Sequence, residues 1–362
     1  MTALVALGVF VVKQGALGNA EESVGTKNPQ AIDFYNRGKS YLFSNSSKDE
    51  LKKAVDWFEQ AIAQDTNFAR AYVNKAYACR QLDTVWEPRS GWDAKALEAA
   101  DKALSLDQGL ADAWVIRGAL FFTPAQRWDA VRDVEYQRKA IKLNPKVKNA
   151  HFNLAFVYGH FGFLKEAIKE LEQELKSYPL DPTPKWIRGW ILMSDGDYLQ
   201  ALNNLKPLPE AAFFHPRIKA WQLGTCLFYL EQTDEASKVL EDYLKKLPEP
   251  DDPLLLSTLA IIDAKRGHSE KAKEKIRGAK AWENRFIHFH HVSYNIGSAY
   301  ALLNEKEPAM EWLKKSAEDG NPCYPCFKND RNLQNLRGDR EFQAFFRKLH
   351  DNYEHNRVLL NP

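Results

Sequence analysis

The feature that most constrains the fold of this chain is a set of landmark residues that returns every 34 positions. The recurring pairs are Gly162 and Gly196, Ala167 and Ala201, Leu171 and Leu205, and Pro145 and Pro179. A unit of this length is one supersecondary element, which cannot bury its apolar face alone and must stack on its neighbours. The period therefore predicts a solenoid, and it favours binding over catalysis as the function.

Composition agrees with a folded repeat protein. A chain of 362 residues is long for a single compact core but ordinary for a solenoid, because the core of a solenoid grows with each repeat. Apolar residues make up 44% of the chain and charged residues 27%, as in soluble folded domains. A net charge of +2 gives no reason to expect nucleic acid as the main partner. Four cysteines do not make a disulfide framework.

One unit, residues 148–179, shows how the pattern becomes a helix pair. Leu154 and Tyr158 are four apart and share one helical face. Gly162 then ends the first helix, as glycine often does at a helix C-terminus. Ala167 and Leu171 resume the same spacing on a second helix, which a proline stops. Each unit is thus predicted to be a helix-turn-helix.

These landmarks resemble the tetratricopeptide repeat, whose 34-residue pattern runs aromatic, Leu-Gly, Tyr, then Ala, Phe and Pro. The landmarks of the other units are Phe34, Gly38, Tyr41, Ala54, Phe58 and Ala61; Tyr72, Ala76, Ala96, Ala100 and Ala103; Trp114, Gly118, Phe121 and Ala140; Gly189 and Leu192; Ala220, Leu223, Gly224, Leu227, Ala236 and Leu240; Leu256, Leu259, Ala260, Gly267, Ala272 and Ile276; and Ile296, Gly297, Tyr300, Ala309 and Leu313. The resemblance implies an all-α superhelical solenoid of about eight helix-turn-helix repeats over residues 29–317.

Three early units carry extra residues between their helices, at 45–50, 85–92 and 123–127. Insertions in a solenoid map to loops on one face, so these are expected to project together. Tolerated loop variation is the favoured interpretation, since surface loops lengthen at little cost in free energy.

The C-terminal tail, residues 318–362, is expected to end in a capping helix around 342–352. Its landmarks are Phe327, Asp330, Leu333, Leu336, Arg337, Asp339, Arg340, Phe342 and Leu349. The tail resembles those of bacterial tetratricopeptide arrays that are fused behind a protein kinase, an adenylate cyclase or a winged-helix domain. The chain contains no Gly-rich phosphate loop, no His-Arg-Asp loop and no Asp-Phe-Gly. The resemblance implies a sensory or scaffolding array without an output domain.

The N-terminal segment, residues 1–20, contains an uncharged apolar run at 2–12 that is too short to span a bilayer. Three interpretations stay open: a truncated membrane anchor, a weak signal peptide, or an apolar tail packed on the first repeat. A membrane-anchored or exported protein is the favoured expectation, and a cytoplasmic one is the alternative. Residues 21–28 are interpreted as a polar linker.

Cys323 and Cys326 form the one motif that suggests an enzyme, because two thiols at this spacing can form a redox disulfide or half a zinc site. The chain shows no strands to build a redox fold and no second cysteine pair. Packing in apolar positions is therefore the favoured interpretation, ahead of a labile disulfide, with thiol-redox activity as an alternative function.

Three histidines, His288, His290 and His291, form a second cluster. His288 and His291 would share a helical face, as metal ligands can. No acidic residue or cysteine is spaced to complete a site locally, so ordinary groove or surface histidines are favoured. No metal, cofactor or catalytic residue is predicted.

In tetratricopeptide repeats the first helix of each unit lines a concave groove. Carried over by register, the partner-binding groove is predicted to comprise Phe152, Phe156, His160, Trp186, Trp190, Trp221, Phe228, Tyr229 and Tyr294. Exposed aromatic side chains make effective interface anchors. The expected function is a non-enzymatic protein–protein interaction scaffold that binds a peptide or protein segment, and a regulatory module of a signalling or transcriptional protein is the alternative.

Other occupants of the groove stay open at this point. A one-residue error in register would rotate a helical position by about 100° and place these aromatics in the core. The two other occupants are the protein's own tail, which would fill the groove, and a small ligand bound between repeats. A peptide-carboxylate clamp is disfavoured, because Lys39 and Asn74 match it but Asp112 and Ile116 do not.

Overall fold

The computed structural model describes residues 25–42, 46–213, 215–247 and 251–362, and it confirms the array of eight helix pairs. The pairs are α1 (Pro29–Tyr41) with α2 (Lys48–Gln64), α3 (Ala69–Gln81) with α4 (Trp92–Leu106), α5 (Ala111–Ala119) with α6 (Ala130–Leu143), α7 (Ala150–Phe161) with α8 (Leu164–Ser177), α9 (Thr183–Asp195) with α10 (Tyr198–Leu205), α11 (Pro216–Tyr229) with α12 (Thr233–Leu244), α13 (Pro253–Lys265) with α14 (Ser269–Lys280), and α15 (Phe289–Leu302) with α16 (Lys306–Glu318). Each second helix packs on its own partner and on the first helix of the next pair.

The expectations for the N-terminus fall mostly on residues outside this description. The apolar segment, 1–20, lies wholly outside it, and the linker is described only from residue 25. Within the described ranges, no helix combines the length and the apolar character that crossing a membrane requires. Membrane anchoring or export stays a prediction.

The glycine at the Leu-Gly landmark has a packing role in the repeats that carry it. A Cβ added to Gly224 would lie 2.6 Å from Leu240 Cγ, and one added to Gly189 would lie 2.5 Å from Leu205 Cγ. Both distances are well inside van der Waals contact, so the two helices of a pair could not approach this closely with any larger residue. Where the landmark is glycine, it therefore sets the spacing within the pair. The second, fourth and seventh pairs have alanine there instead, at Ala76, Ala155 and Ala260.

The second and third insertions meet at one edge, as the sequence predicts. After α3 a π-helical turn, Leu82–Trp86, leads into the loop before α4, and a 3₁₀ turn, Pro124–Gln126, lies between α5 and α6. The first insertion is shorter than expected, because α2 already begins at Lys48 with Ser47 as its capping residue. Lys48 and Lys52 of α2 pair with Glu87 at 3.1 and 3.0 Å, which ties the first unit to the second insertion.

These loops close the superhelix onto its later repeats. The guanidinium of Arg89 donates to the side-chain oxygen of Asn284, 195 positions later. Trp128 packs on His288 and His290, with ring centroids 5.8 and 4.9 Å apart. The insertions thus link the first third of the array to the last, which tolerated loop variation does not explain.

The C-terminal tail forms α17 (Tyr324–Asn329), a 3₁₀ turn (Arg331–Leu336) and α18 (Arg340–Leu360). The predicted capping helix is present and is longer than expected at both ends. α18 reaches back to the third unit, because the Arg138 guanidinium donates to the carbonyls of Leu360 and Asn361 at 2.8 and 2.6 Å. The tail therefore lies against early as well as late repeats.

Candidate functional site

The predicted groove residues lie together on the inner side of the superhelix, on the first helices α7, α9, α11 and α15. The ring of Trp190 is 4.6 Å from the ring of His160 and 5.9 Å from that of Phe156, measured between centroids. Phe152 lies against Trp186 at 6.5 Å. The register carried over from the repeat pattern thus placed these side chains on the same surface.

This inner surface is not an open platform, which corrects the expectation of exposed anchors. Trp186, Trp190 and Trp221 are only 5%, 6% and 8% exposed. Phe152, His160 and Phe228 are also buried. The three indoles do not stand directly side by side either, because His291 lies between Trp190 and Trp221, 5.8 and 5.4 Å from their rings. Their role in binding stays a prediction, but these positions carry the packing of the core.

The protein's own tail covers part of this surface, which was one of the alternatives left open by the sequence. The carboxylate of Asp330 accepts hydrogen bonds from the hydroxyls of Tyr229 and Tyr294 at 2.8 and 2.9 Å. Tyr229 also stacks on Tyr198 at 4.3 Å. Burial raises the pKa of Asp330, and it raises the pKa values of Tyr229 and Tyr294 well above the usual value for tyrosine. The two predicted groove tyrosines are therefore bound by residue 330.

A cavity of about 450 Å³ lies where the insertions meet the link between the seventh and eighth pairs. We call it the closure cavity. Its charged lining consists of Asp83, Arg89, Asp93, Glu283, Lys315 and Asp319. Trp128, Phe286 and Phe289 supply an apolar part of the wall. Four carboxylates against two basic side chains make the lining net acidic.

Two of the carboxylates are held by a lysine. Lys315 Nζ lies 3.1 Å from Glu283 and 2.9 Å from Asp319. Asp83, on the opposite wall, is buried and accepts the backbone N–H of Arg89. Burial raises the pKa of Asp83 to about 6, so its carboxyl group is mostly ionised at neutral pH. The cavity therefore offers negative charge on both sides.

Cys323 and Cys326 are joined in a disulfide, with their Cα atoms 5.3 Å apart. The sequence favoured packing without a bond, so the disulfide is the less expected alternative. Cys323 is fully buried, and Cys326 packs on the same tail cluster as Phe327. The two cysteines thus also fill apolar positions, and their disulfide links the first turn of α17 to its capping residue.

The histidine cluster gains a member that local sequence spacing could not supply. His160, from the end of α7, lies against the three histidines at the start of α15, with its ring 5.2 Å from those of His290 and His291. Burial lowers the pKa of His160 to about 4, and it lowers the pKa values of His290 and His291 well below the usual one. All are therefore neutral at pH 7.

Sequence reasoning missed two residues that organise this region. Asp330 was noted only as a landmark of the tail, although it accepts both tyrosine hydroxyls. Trp128, which follows the third insertion, was not singled out, although it packs on two histidines. An acidic residue among apolar landmarks was the available signal for Asp330. No local signal pointed to the contacts of Trp128.

Comparison with known proteins supports the repeat assignment. A family model described as tetratricopeptide repeat matches residues 290–318, which is the eighth pair. A solved Rap protein, complexed with Competence and Sporulation Factor, has a TM-score of 0.63 at 14% identity and covers 91% of this chain and 98% of its own. A tetratricopeptide repeat protein from Parabacteroides merdae has a TM-score of 0.48 at 14% identity, over 77% of this chain and 99% of that chain.

A curated human relative, protein O-mannosyl-transferase TMTC3, is 26% identical over 243 residues. The match takes in 66% of this chain and 25% of the relative, so the chain spans about a quarter of that protein's length. The likeness to the Rap protein shows the fold, and the human relative matches only part of each chain. The helical-repeat architecture is what these comparisons establish.

Proposed function

We propose that this chain, a solenoid of tetratricopeptide repeats, is a non-enzymatic binding module that holds a basic segment of another protein in its closure cavity. The observation that carries the proposal is the cavity itself: about 450 Å³, lined by both signs of charge with an acidic excess. Ligand sites are typically concave, largely apolar and fitted with a few polar groups that fix orientation. Helical repeats stack into concave surfaces that serve this purpose.

The position of the cavity decides how a partner would enter. Most of the predicted groove aromatics are buried, and the cavity that Trp190, Trp221 and Tyr229 line beside the tail holds only about 90 Å³. The closure cavity, at about 450 Å³, is larger, and Ala125 in its lining is exposed. A side chain with positive charge would meet carboxylates from Asp83 and Asp93 on one wall and from Glu283 on the other.

One structural similarity supports the alternative that this chain is a regulatory module. The Rap protein was solved in complex with Competence and Sporulation Factor, and it covers most of this chain at low identity. A module in which a bound segment shifts the closure between early and late repeats would use the same cavity. The mannosyl-transferase activity in the name of the human relative belongs to a protein about four times the matched length, and we do not extend it to this chain.

The binding site is tested by blocking the cavity rim. We expect linear peptides selected from a random displayed library on the full-length protein to be rich in Lys and Arg. We expect Ala125→Arg to weaken the best of them at least about tenfold, because it adds bulk and positive charge at an acidic rim. Fluorescence anisotropy gives the affinities, and a urea midpoint unchanged from wild type shows that the fold is intact.

The matched control is Ala63→Arg, the same change at an exposed alanine of α2 outside the cavity lining. It should leave the affinity within about twofold, since surface substitutions away from a site have small effects. Equal weakening by both variants would show that binding follows overall charge, and it would contradict the assignment of the cavity.

The thiol-redox alternative leads to a separate expectation. Disulfide exchange requires a thiolate that a substrate can reach; Cys323 is fully buried, although Cys326 is partly exposed. We therefore expect no catalysed reduction of insulin by this protein in the presence of dithiothreitol. Turnover above the rate with dithiothreitol alone, abolished by Cys323→Ser, would overturn the non-enzymatic assignment.

A further inference from the structure

Four histidines converge where the superhelix closes, and three of them lie close enough together to be candidate metal ligands. The candidate ligand atoms of His160, His290 and His291 all lie within 4.8 Å of one another. His160 belongs to α7 and the other two to α15, so the cluster forms only when the fourth and eighth helix pairs meet. His160 and His290 are 0% and 1% exposed.

The hydrogen bonds of two of these rings determine which ring nitrogen is free to bind a metal ion. The Nδ1 atom of His160 lies 2.8 Å from the carbonyl oxygen of Phe156, and that of His290 lies 2.8 Å from the carbonyl oxygen of Asp319. A carbonyl oxygen can only accept, so each Nδ1 carries the proton and each Nε2 presents a lone pair. Metal-binding histidines are commonly oriented in this way, with one nitrogen bound to a backbone carbonyl.

Those two lone pairs have no protein partner. The Nε2 atoms of His160 and His290 are buried and make no hydrogen bond within the part of the chain that the structure describes. Leaving a buried polar atom unpaired costs about 1–3 kcal/mol, so a pair of such atoms facing one region needs an explanation. A cation shared between them satisfies both.

We propose that His160, His290 and His291 bind one Zn²⁺ ion. Three imidazole nitrogens suit zinc, which tolerates irregular geometry and occurs in sites of three histidines with an open fourth position. At a Zn–N distance of about 2.0–2.1 Å, tetrahedral ligand atoms stand about 3.4 Å apart, so the rings must draw together from their present spacing. His288, whose ring is 5.3 Å from that of His290, flanks the fourth position.

The surroundings favour a structural ion. Trp128, Phe156 and Trp190 pack around the histidines at ring distances of 4.9, 4.5 and 4.6 Å, and His160 and His290 are almost fully buried. An ion bound by α7 and α15 together would join the middle of the array to its end. Its role would be to lock the closure of the superhelix next to the closure cavity, whose wall includes His290.

The test uses the full-length protein, freed of any polyhistidine tag, treated with chelator and then dialysed. We expect zinc sulfate, titrated by calorimetry, to bind at one equivalent per chain with a Kd below about 1 µM. Cobalt(II) added in its place should give the visible absorption of a tetrahedral nitrogen site, and zinc should displace it. Zinc should also raise the thermal midpoint, since it binds the folded chain.

Variants locate the ion. Mutation of a residue that only hydrogen-bonds to a metal ligand typically lowers metal affinity 10–100-fold. His290→Gln removes a ligand itself, so we expect it to lower the affinity for zinc at least about 100-fold. His350→Gln, at an exposed histidine of α18, is the matched control and should bind zinc like wild type. His160→Gln should match His290→Gln, provided that its circular dichroism spectrum stays helical.

Wild-type protein alone decides the outcome if the buried variants fail to fold. X-ray absorption of the zinc complex must show at least three imidazole nitrogens. Zinc uptake well below one equivalent by folded protein would mean that a buried water alone satisfies the two nitrogens, and it would overturn the proposal. So would a zinc shell dominated by oxygen, or full affinity in the His160→Gln/His290→Gln double variant.

Discussion

Truncation of Trp190 to alanine is expected to lower the free energy of unfolding by about 3–5 kcal/mol, the usual cost of removing a large aromatic side chain from a core. Trp190 is 6% exposed and contacts the rings of Phe156, His160 and His291. Its ring edge also lies against α7, because a Cβ placed on Gly159 would be 2.5 Å from it. The cavity left behind cannot collapse easily between two helices held this closely.

The urea midpoint of Trp190→Ala measures this effect, with circular dichroism at 222 nm as the probe. The control is Leu180→Ala, since Leu180 is 93% exposed in the turn before α9, and its midpoint should match wild type. An unchanged midpoint for Trp190→Ala, together with lost binding of the selected peptides, would restore the original groove assignment. A lowered midpoint places Trp190 in the core.

Replacement of Asp330 by alanine is expected to destabilise the tail by about 2–4 kcal/mol, since two tyrosine hydroxyls lose a buried acceptor at about 1–3 kcal/mol each. Tyr229 and Tyr294 both donate to this carboxylate. The Tyr294 hydroxyl can still donate to the Cys326 carbonyl, which limits the loss. The Tyr229 hydroxyl keeps the N–H that it accepts from Asn332. We expect the tail of the variant to be cleaved by trypsin faster than that of wild type, while the repeats stay protected.

A double-mutant cycle with Tyr294→Phe separates this pair from the rest of the network. The matched control is Asp339→Ala. Asp330 caps the 3₁₀ turn by accepting the backbone N–H of Asn332 at 2.8 Å, and Asp339 caps α18 by accepting that of Glu341 at 2.8 Å. Loss of the Asp339 cap should cost about 1 kcal/mol. Equal effects of the two substitutions would mean that Asp330 acts only as a cap. A coupling near zero between Asp330 and Tyr294 would lead to the same conclusion.

The repeat architecture was accessible from the sequence because its determinants are local. Gly224 and Leu240 belong to one helix pair, and their spacing encodes the close approach that the structure shows. The inner position of Trp186, Trp190 and Trp221 was also accessible, since each follows from the register of a single unit. The burial of these side chains was not accessible from the sequence, because the residues that cover them come from other parts of the chain.

What the sequence determined by itself is the part of the fold that repeats: eight helix pairs, the face that each first helix turns inward, and a helix at the C-terminus. Tertiary structure alone decided where the array closes. His160 is 130 positions from His290, and Arg138 is more than 200 from Leu360, yet both pairs lie together. The small rotation between neighbouring repeats accumulates along a solenoid. Contacts between distant units therefore depend on the sum of all intervening rotations, which no local pattern reports.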